Sequence, residues 1–342
     1  MLRKMLRSQP ELAEDPRLLN TAALFGRPGN VELLLTAGAD PNGLVPSHEK
    51  YRPLHRAIEH RGVPRTDGHR EAVRLLLGAG ASLTLRATWM DLTPLAVAAM
   101  AGETEMVPLL LARRIPPDIF HAAILADARV LKALLKKKPA LATARDVNHM
   151  TVLHYAALCG LPNREAEMRE LTHTLLDAGA DGDARESIGP YPATPVLHFA
   201  AWKNYPLADV LLSRGCNPNF GFGNCLWKPP GAMAELFLSH GADVNAREPS
   251  GQPLLNSRIH WNLPSVALWL LKNGADPNAT DAEGNTALHE AARRGINPEV
   301  VRTLLARGAR LKTKNRNGQT ALDLARAKNR TKLLPLLEGV HS

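Results

Sequence analysis

The feature that most constrains the fold is a short glycine-centred segment that the chain repeats at a nearly fixed interval. Its clearest copy reads Ser-His-Gly-Ala-Asp-Val-Asn around Gly241. Related copies place a glycine at positions 38, 80, 179, 215, 274 and 308, and two weaker copies carry Arg114 and Lys138 there. Between positions 38 and 308 the eight intervals average about 34 residues, a period typical of helical repeat proteins. The repeat therefore predicts a solenoid, in which each unit packs on its two neighbours.

Each repeat contains two short amphipathic helices and a turn. In the clearest copy, residues 287–294 carry small and apolar side chains on one side, and residues 300–305 repeat apolar side chains at the spacing of a helical face. Gly308 stands where a left-handed residue would end the second helix without a side-chain clash. One unit cannot bury this apolar face alone, so the units are expected to stack.

Five segments resemble the Thr-Pro-Leu-His tetrad of the ankyrin-repeat family. These segments are residues 53–57, 93–96, 151–154, 195–198 and 286–289. The resemblance covers nearly the whole chain, and it implies an all-α repeat solenoid of about nine stacked units. Each unit would be a helix–turn–helix with a β-hairpin finger.

The resemblance also assigns a role to the histidines at the fourth tetrad position. It implies that they join neighbouring turns through hydrogen bonds: His55, His154, His198 and His289. Ala96 and Asn256 depart from this pattern, which leaves the connection open at those two positions.

A solenoid core grows linearly, so the length of 342 residues does not require two domains. We expect a single domain over residues 1–342, with a capping half-repeat at 1–17 and a capping repeat at 318–342. Two units depart from the repeat, near residues 115–138 and 216–241. The first keeps both helices and has a shortened finger. The second loses its first helix, because Pro229 and Pro230 forbid an ordinary helix interior, and this loss predicts a notch in the stack.

Aromatic residues gather around the predicted notch. Phe199, Phe237 and Trp269 occupy apolar helix positions and are expected in the core. Five others fall at finger or loop positions, where they either fill the gap left by the lost helix or anchor a partner: Tyr191, Phe220, Phe222, Trp227 and Trp261. Trp89, near a finger tip, is a further candidate contact residue.

The net charge of +9 is concentrated near the end of the chain. From Arg293 to Lys332 there are twelve Lys or Arg residues and two acids, Glu299 and Asp323. Such a run is typical of a solvated surface, of a patch for an acidic protein, or of phosphate contacts with nucleic acid. The residues expected to make such contacts are Lys312, Lys314, Arg316, Arg326, Lys328, Arg330 and Lys332. No aromatic residue lies in this range, which argues against base stacking there.

The sequence lacks recognisable signals for catalysis or metal binding. Cys159, Cys216 and Cys225 form no C-x-x-C pair, and with His198 and His240 they match no zinc spacing. The phosphate loop, the H-E-x-x-H motif and the G-x-S-x-G elbow are also missing. We therefore expect no enzymatic activity, no cofactor and no metal.

The apolar runs are too short for a secretory signal or a membrane span. This pattern predicts a cytoplasmic protein, while export as an effector by a specialised secretion system stays open. The expected function is that of a protein–protein interaction module, an adaptor or inhibitor, that binds through its concave fingers and the aromatic notch. The alternative is binding to nucleic acid or an acidic partner through the basic final repeats. The oligomeric state is left open.

Overall fold

The fold consists of short α-helices that follow one another along the chain, with one small sheet. A computed structural model describes residues 2–45, 50–60, 62–88, 90–116, 118–188 and 191–339, and for residues 187, 188 and 191–193 it describes the backbone only. The chain divides into two compact units, Met1–Val210 and Leu211–Ser342. The single domain expected over residues 1–342 stays a prediction.

The first unit contains most of the helices. They are α1 (Leu2–Ser8), α2 (Pro16–Leu24), α3 (Pro28–Thr36), α4 (Pro53–Glu59), α5 (Asp67–Gly78), α6 (Pro94–Ala101), α7 (Met106–Leu111), α8 (Ile119–Ile124), α9 (Ala128–Lys137), α10 (Val152–Leu158), α11 (Glu165–Asp177), α12 (Val196–Lys203) and α13 (Tyr205–Ser213), which runs past Val210. Single 3-10 turns lie at Pro10–Glu14 and Pro139–Thr143. Strands β1 (Arg185–Ile188) and β2 (Tyr191–Pro195) pair antiparallel. The predicted N-terminal cap at 1–17 therefore contains α1, one 3-10 turn and the first two residues of α2.

The second unit continues the same alternation of helices. They are α14 (Phe222–Cys225), α15 (Ala232–Ser239), α16 (Leu254–His260), α17 (Pro264–Lys272), α18 (Ala287–Arg294), α19 (Pro298–Ala306), α20 (Ala321–Ala327) and α21 (Leu334–Leu337). A 3-10 turn at Pro218–Phe220 precedes α14. The predicted C-terminal cap at 318–342 contains α20 and α21.

Successive repeats stack helix on helix within each unit. Among the first helices, α2, α4, α6, α8, α10 and α12 each contact the next, as do α16, α18 and α20. Second helices pair in the same way, for example α3 with α5 and α17 with α19. Buried alanine pairs such as Ala291 and Ala292, with no exposed surface, allow this close approach. The fold is the all-α repeat solenoid predicted from the sequence.

The repeat glycines end the second helices in the left-handed conformation. The seven glycines of the repeating segment have φ between 83° and 95°, and Arg114 replaces a glycine with φ 54°. Only glycine adopts this conformation without steric cost.

The fingers are shorter than the β-hairpins implied by the family resemblance. In the described residues, β1 and β2 form the one two-stranded sheet. Other fingers have a single bridge, as between Val45 and Tyr51 or between Arg247 and Pro253.

The two irregular repeats differ in which part is reduced. Near residues 115–138 both helices are present as α8 and α9, and the connection before them is short. Near residues 216–241 the first helix is reduced to the single turn of α14, while α15 keeps full length. The sequence predicted that this first helix is lost, whereas in the structure it is shortened to one turn.

Three buried histidines each connect a repeat to the next one. The Nε2 atoms of His55, His154 and His289 lie 3.0 Å from the carbonyl oxygens of Leu92, Thr194 and Gln319, respectively. Each of these carbonyls precedes the first helix of the following repeat, so the imidazole N–H donates across the junction. A hydrogen bond of this kind contributes about 1 kcal/mol, and an unpaired buried carbonyl costs more.

Asn256 makes the same connection without an imidazole. Its Nδ2 donates to Asn285 O at 3.1 Å and to Ala279 O at 3.2 Å. The connection left open there by the sequence is therefore present. At Ala96 the side chain has no donor, and the junction instead has His121 Nε2 at 2.8 Å from Thr93 Oγ1.

The histidine junctions should make the protein less stable in mild acid. Burial lowers the pKa of His55 and of His154 to about 4, whereas an unfolded histidine titrates near 6.5. As the pH falls from about 6.5 to about 4, only the unfolded chain takes up a proton at these sites, so the free energy of unfolding falls, by on the order of 3 kcal/mol per site at most. Urea unfolding of the wild type and of His154→Asn across this range measures the effect. The variant keeps an amide donor, as at Asn256, and should show a shallower decline; an identical decline would contradict the assignment.

Candidate functional site

Two exposed tryptophans form the most prominent apolar feature of the second unit. Trp227 follows α14 and Trp261 follows α16, at positions 34 residues apart in consecutive repeats. Their ring centroids are 5.8 Å apart with an interplanar angle of 69°, an edge-to-face arrangement. Trp227 and Trp261 are 45% and 59% exposed, whereas tryptophan is highly buried on average. The structure thus brings together two of the aromatic residues predicted from the sequence.

A buried arginine packs against one of these two tryptophans. Arg258 has no exposed surface, and its guanidinium carbon lies 4.3 Å from the ring centroid of Trp227. The Arg258 guanidinium donates to Glu248 Oε1 at 2.6 Å, to Ser257 Oγ at 2.8 Å and to Gly223 O at 2.7 Å. A buried charge is tolerated only with such partners. Arg258 therefore fixes α14, α16 and Trp227 relative to one another.

Phe222 fills the space left by the shortened first helix. It has no exposed surface, and its ring lies 6.5 Å from that of Phe237 and 6.2 Å from that of Trp269. Of the two roles left open for it, the structure supports packing and removes Phe222 from the surface available to a partner. Phe220, in the 3-10 turn before α14, is half-buried.

The other aromatic predictions have separate outcomes. Phe199 and Phe237 are buried, as expected for core residues. Trp269 is half-buried, and its Nε1 donates to Glu235 Oε1 at 2.8 Å. Tyr191 lies in β2, in the first unit, with only its backbone described, and Trp89 lies outside the described residues.

A chain of side-chain contacts connects Trp261 to the basic residues of the following repeats. The His260 ring packs against Trp261 at 5.5 Å between centroids. Nε2 of His260 lies 2.5 Å from Nη2 of Arg294, and its Nδ1 lies 3.3 Å from Oε2 of the buried Glu290. Glu290 also pairs with Arg293. The aromatic pair is therefore continuous with cationic side chains.

The predicted basic residues separate into two groups. Lys312, Lys314 and Arg316 lie on the finger before α20, whereas Arg326, Lys328, Arg330 and Lys332 lie at or after its far end. The seven-residue helix separates these groups by about 10 Å along its axis. Six of the seven are exposed, and Arg330 is half-buried, with its Nη2 donating to Arg293 O at 3.0 Å. They are therefore two surfaces rather than one patch.

The cysteines are mostly packed inside the repeats. Burial raises the pKa of Cys159, and it raises the pKa of Cys225 to about 12. Cys216 is half-buried. In the part of the chain that the structure describes, no three His, Cys, Asp or Glu side chains converge as metal ligands.

Sequence reasoning missed the charged residues that organise the site. Arg258 and Glu290 occupy buried helix positions, and each is paired with residues from another segment. A charged residue on an otherwise apolar helix face is the signal that marks them.

Comparison with known proteins agrees with the geometry of the repeats. Residues 19–120 and 255–340 match the family model described as ankyrin repeats (3 copies). The chain belongs to the ankyrin-repeat family. Ankyrin repeats are generally protein–protein interaction modules and typically non-enzymatic.

Relatives share the repeats but extend well beyond them. The B-cell lymphoma 3 protein homolog of Mus musculus is 27% identical over 220 residues, covering 64% of this chain and 41% of that protein. The E3 ubiquitin-protein ligase KEG of Arabidopsis thaliana is 25% identical over 327 residues, covering 90% of this chain and 18% of that protein. The chain thus spans less than half the length of both relatives.

A solved structure shares the fold. The crystal structure of the human ASB11 ankyrin repeat domain superposes with a TM-score of 0.52 at 24% identity, covering 66% of this chain and 100% of that one. In the described part of the protein, every helix is too short or too polar to cross a bilayer.

Replacing Arg258 should destabilise the second unit. In Arg258→Met the carboxylate of Glu248 and the carbonyl of Gly223 lose their donor, and we expect a loss of about 3 kcal/mol in the free energy of unfolding. Tryptophan fluorescence should change as well, because Trp227 loses its support. Urea unfolding measures the first effect. Arg302→Met is the matched control, because the Arg302–Glu299 pair is exposed (60% and 57% of the side chains) and should contribute under about 1 kcal/mol. Equal losses in both variants would contradict the structural role of Arg258.

Proposed function

We propose that this chain is a non-enzymatic protein-interaction module, an adaptor or inhibitor, that binds a protein partner through Trp227 and Trp261. The observation that carries the proposal is the pair of exposed indoles packed edge-to-face on consecutive repeats. Leaving such large apolar surfaces in water forgoes stabilisation of about 25 cal/mol per Å². Tryptophan is also the residue most enriched among side chains that dominate binding energy at interfaces.

The support of the pair favours binding over mere packing. Arg258 holds one face of Trp227, and His260 and Trp227 both pack against Trp261. Side chains that are already ordered lose little conformational entropy when a partner binds. Phe222 packs against Phe237 and Trp269 inside the shortened repeat.

Three further candidates were predicted from the sequence at finger or loop positions. Phe220, Tyr191 and Trp89 stay candidate contact residues for the partner. No metal or cofactor takes part in the proposed function.

Removal of both indoles should weaken binding of the partner. In Trp227→Ala/Trp261→Ala we expect at least a tenfold, roughly 1.4 kcal/mol, loss of affinity for the partner. Partners are first identified by chemical cross-linking in nuclease-treated extracts of the source cells, and dissociation constants are then measured with the purified partner. Circular dichroism verifies that each variant is folded.

Phe25→Ala is the matched control, because Phe25 is an aromatic residue of the first unit with a similar exposure of 46%. Its affinity for the partner should be unchanged. A folded double variant that keeps every partner at wild-type affinity would sink the proposal, and the pair would then have a packing role alone.

A further inference from the structure

The edge of the second unit that carries the tryptophan pair contains no acidic residue in its loops. This edge consists of the four loops that join the first and second helices of successive repeats, residues 226–231, 261–263, 295–297 and 328–333. None of the four contains Asp or Glu. We call these loops, together with Arg293 and Arg294 at the end of α18, the loop edge.

Side-chain contacts show that the loop edge is continuous. Trp227 packs on Trp261 across the first two loops. Arg294 contacts His260, which joins the second loop to the third. Arg330 donates to Arg293 O at 3.0 Å, which joins the third loop to the fourth. The loop edge therefore runs from two indoles to a group of cations.

The positive charge at the loop edge is only partly compensated. Glu290 is 1% exposed, and it is engaged by His260 and Arg293. Exposed cations remain at Arg294, Lys328 and Lys332. Charges at such a surface attract opposite charges over about 8 Å at physiological ionic strength.

The finger edge, formed by the two fingers that precede α18 and α20, has a different balance of charge. The last finger, residues 307–320, carries five Lys or Arg and no acid. The finger beside it, residues 273–286, carries Asp276, Asp281 and Glu283 and no Lys or Arg. The two fingers touch, because the backbone N–H of Arg316 donates to Glu283 O at 2.9 Å. At the finger edge, acidic groups therefore lie beside the cations, and an acidic partner is less favoured there.

From this asymmetry we propose that the loop edge binds a protein segment in which acidic residues flank an apolar or aromatic residue. The inference rests on the proposed function and adds the chemical class of the partner. The apolar residue contacts Trp227 and Trp261, and the acidic residues lie against Arg294 and Lys328. Complementary charge speeds the encounter and selects against basic partners. A protein segment is favoured over nucleic acid because the cationic part of the loop edge, from Arg293 to Leu333, has no aromatic side chain on which successive bases could stack.

Two double charge reversals separate the loop edge from the finger edge. Arg294→Glu/Lys328→Glu alters the loop edge, and Lys312→Glu/Lys314→Glu makes the same change in net charge on the finger. The 342-residue chain is immobilised, and a random-peptide display library is selected on it. The peptides recovered are synthesised with a fluorescent label, and their dissociation constants are measured for the wild type, both charge reversals and Trp227→Ala/Trp261→Ala.

We expect the recovered peptides to be enriched in Asp and Glu around a Phe, Trp, Leu or Ile. Their affinity should fall at least about tenfold in Arg294→Glu/Lys328→Glu and less than about threefold in Lys312→Glu/Lys314→Glu. Rising salt should weaken peptide binding less in Arg294→Glu/Lys328→Glu than in the wild type. Thermal unfolding confirms that the variants are folded.

Each other result overturns the inference. Peptides without acidic enrichment, or a larger loss in the finger variant, exclude an acidic segment at the loop edge. A single-stranded oligonucleotide that competes for the loop edge more tightly than the peptides would assign it to nucleic acid. Loss of binding in the tryptophan variant with full binding in Arg294→Glu/Lys328→Glu would overturn the acidic partner and leave the proposed function standing. Full binding in the tryptophan variant would overturn both.

Discussion

The structure depends on the fact that no single repeat can bury its own apolar face. First helices pack on the first helix of the next repeat, and at His55, His154, Asn256 and His289 a buried side-chain donor bonds to the backbone just before that next helix. Packing and hydrogen bonding therefore act at the same junction. A repeat that loses part of its first helix must replace both contributions by other means.

The shortened repeat around α14 shows how this replacement is made. Phe222 supplies the missing apolar volume, and Arg258 supplies the missing polar connection through Gly223 O and Glu248. Trp227 then lies on the guanidinium at the surface. The side chains that stabilise the irregular repeat therefore also hold the exposed indoles, so the candidate site depends on the packing of this repeat.

Much of the fold could be predicted from the sequence, because the repeat period and helical spacing record which faces must be buried. The candidate site was only partly predictable. Trp227 and Trp261 stood out as aromatic residues at loop positions, yet the burial of Phe222 depends on how far the chain contracts after losing a helix. Arg258 and Asn256 could not be assigned, because their partners come from separate segments whose convergence no local pattern records. For the same reason, the basic run looked like one patch in sequence, whereas α20 separates it into two.

Because some junctions between repeats use histidine and one uses asparagine, their stability should respond differently to acid. Protonation places a charge on the buried rings of His55, His154 and His289, whose pKa values burial lowers, whereas the amide of Asn256 does not titrate in this range. Mild acid should therefore destabilise the three histidine junctions more than the Asn256 connection between α16 and α18. The effect of acid would then differ from junction to junction, and the repeats that carry Trp261 and Arg294 would keep the Asn256 connection between them.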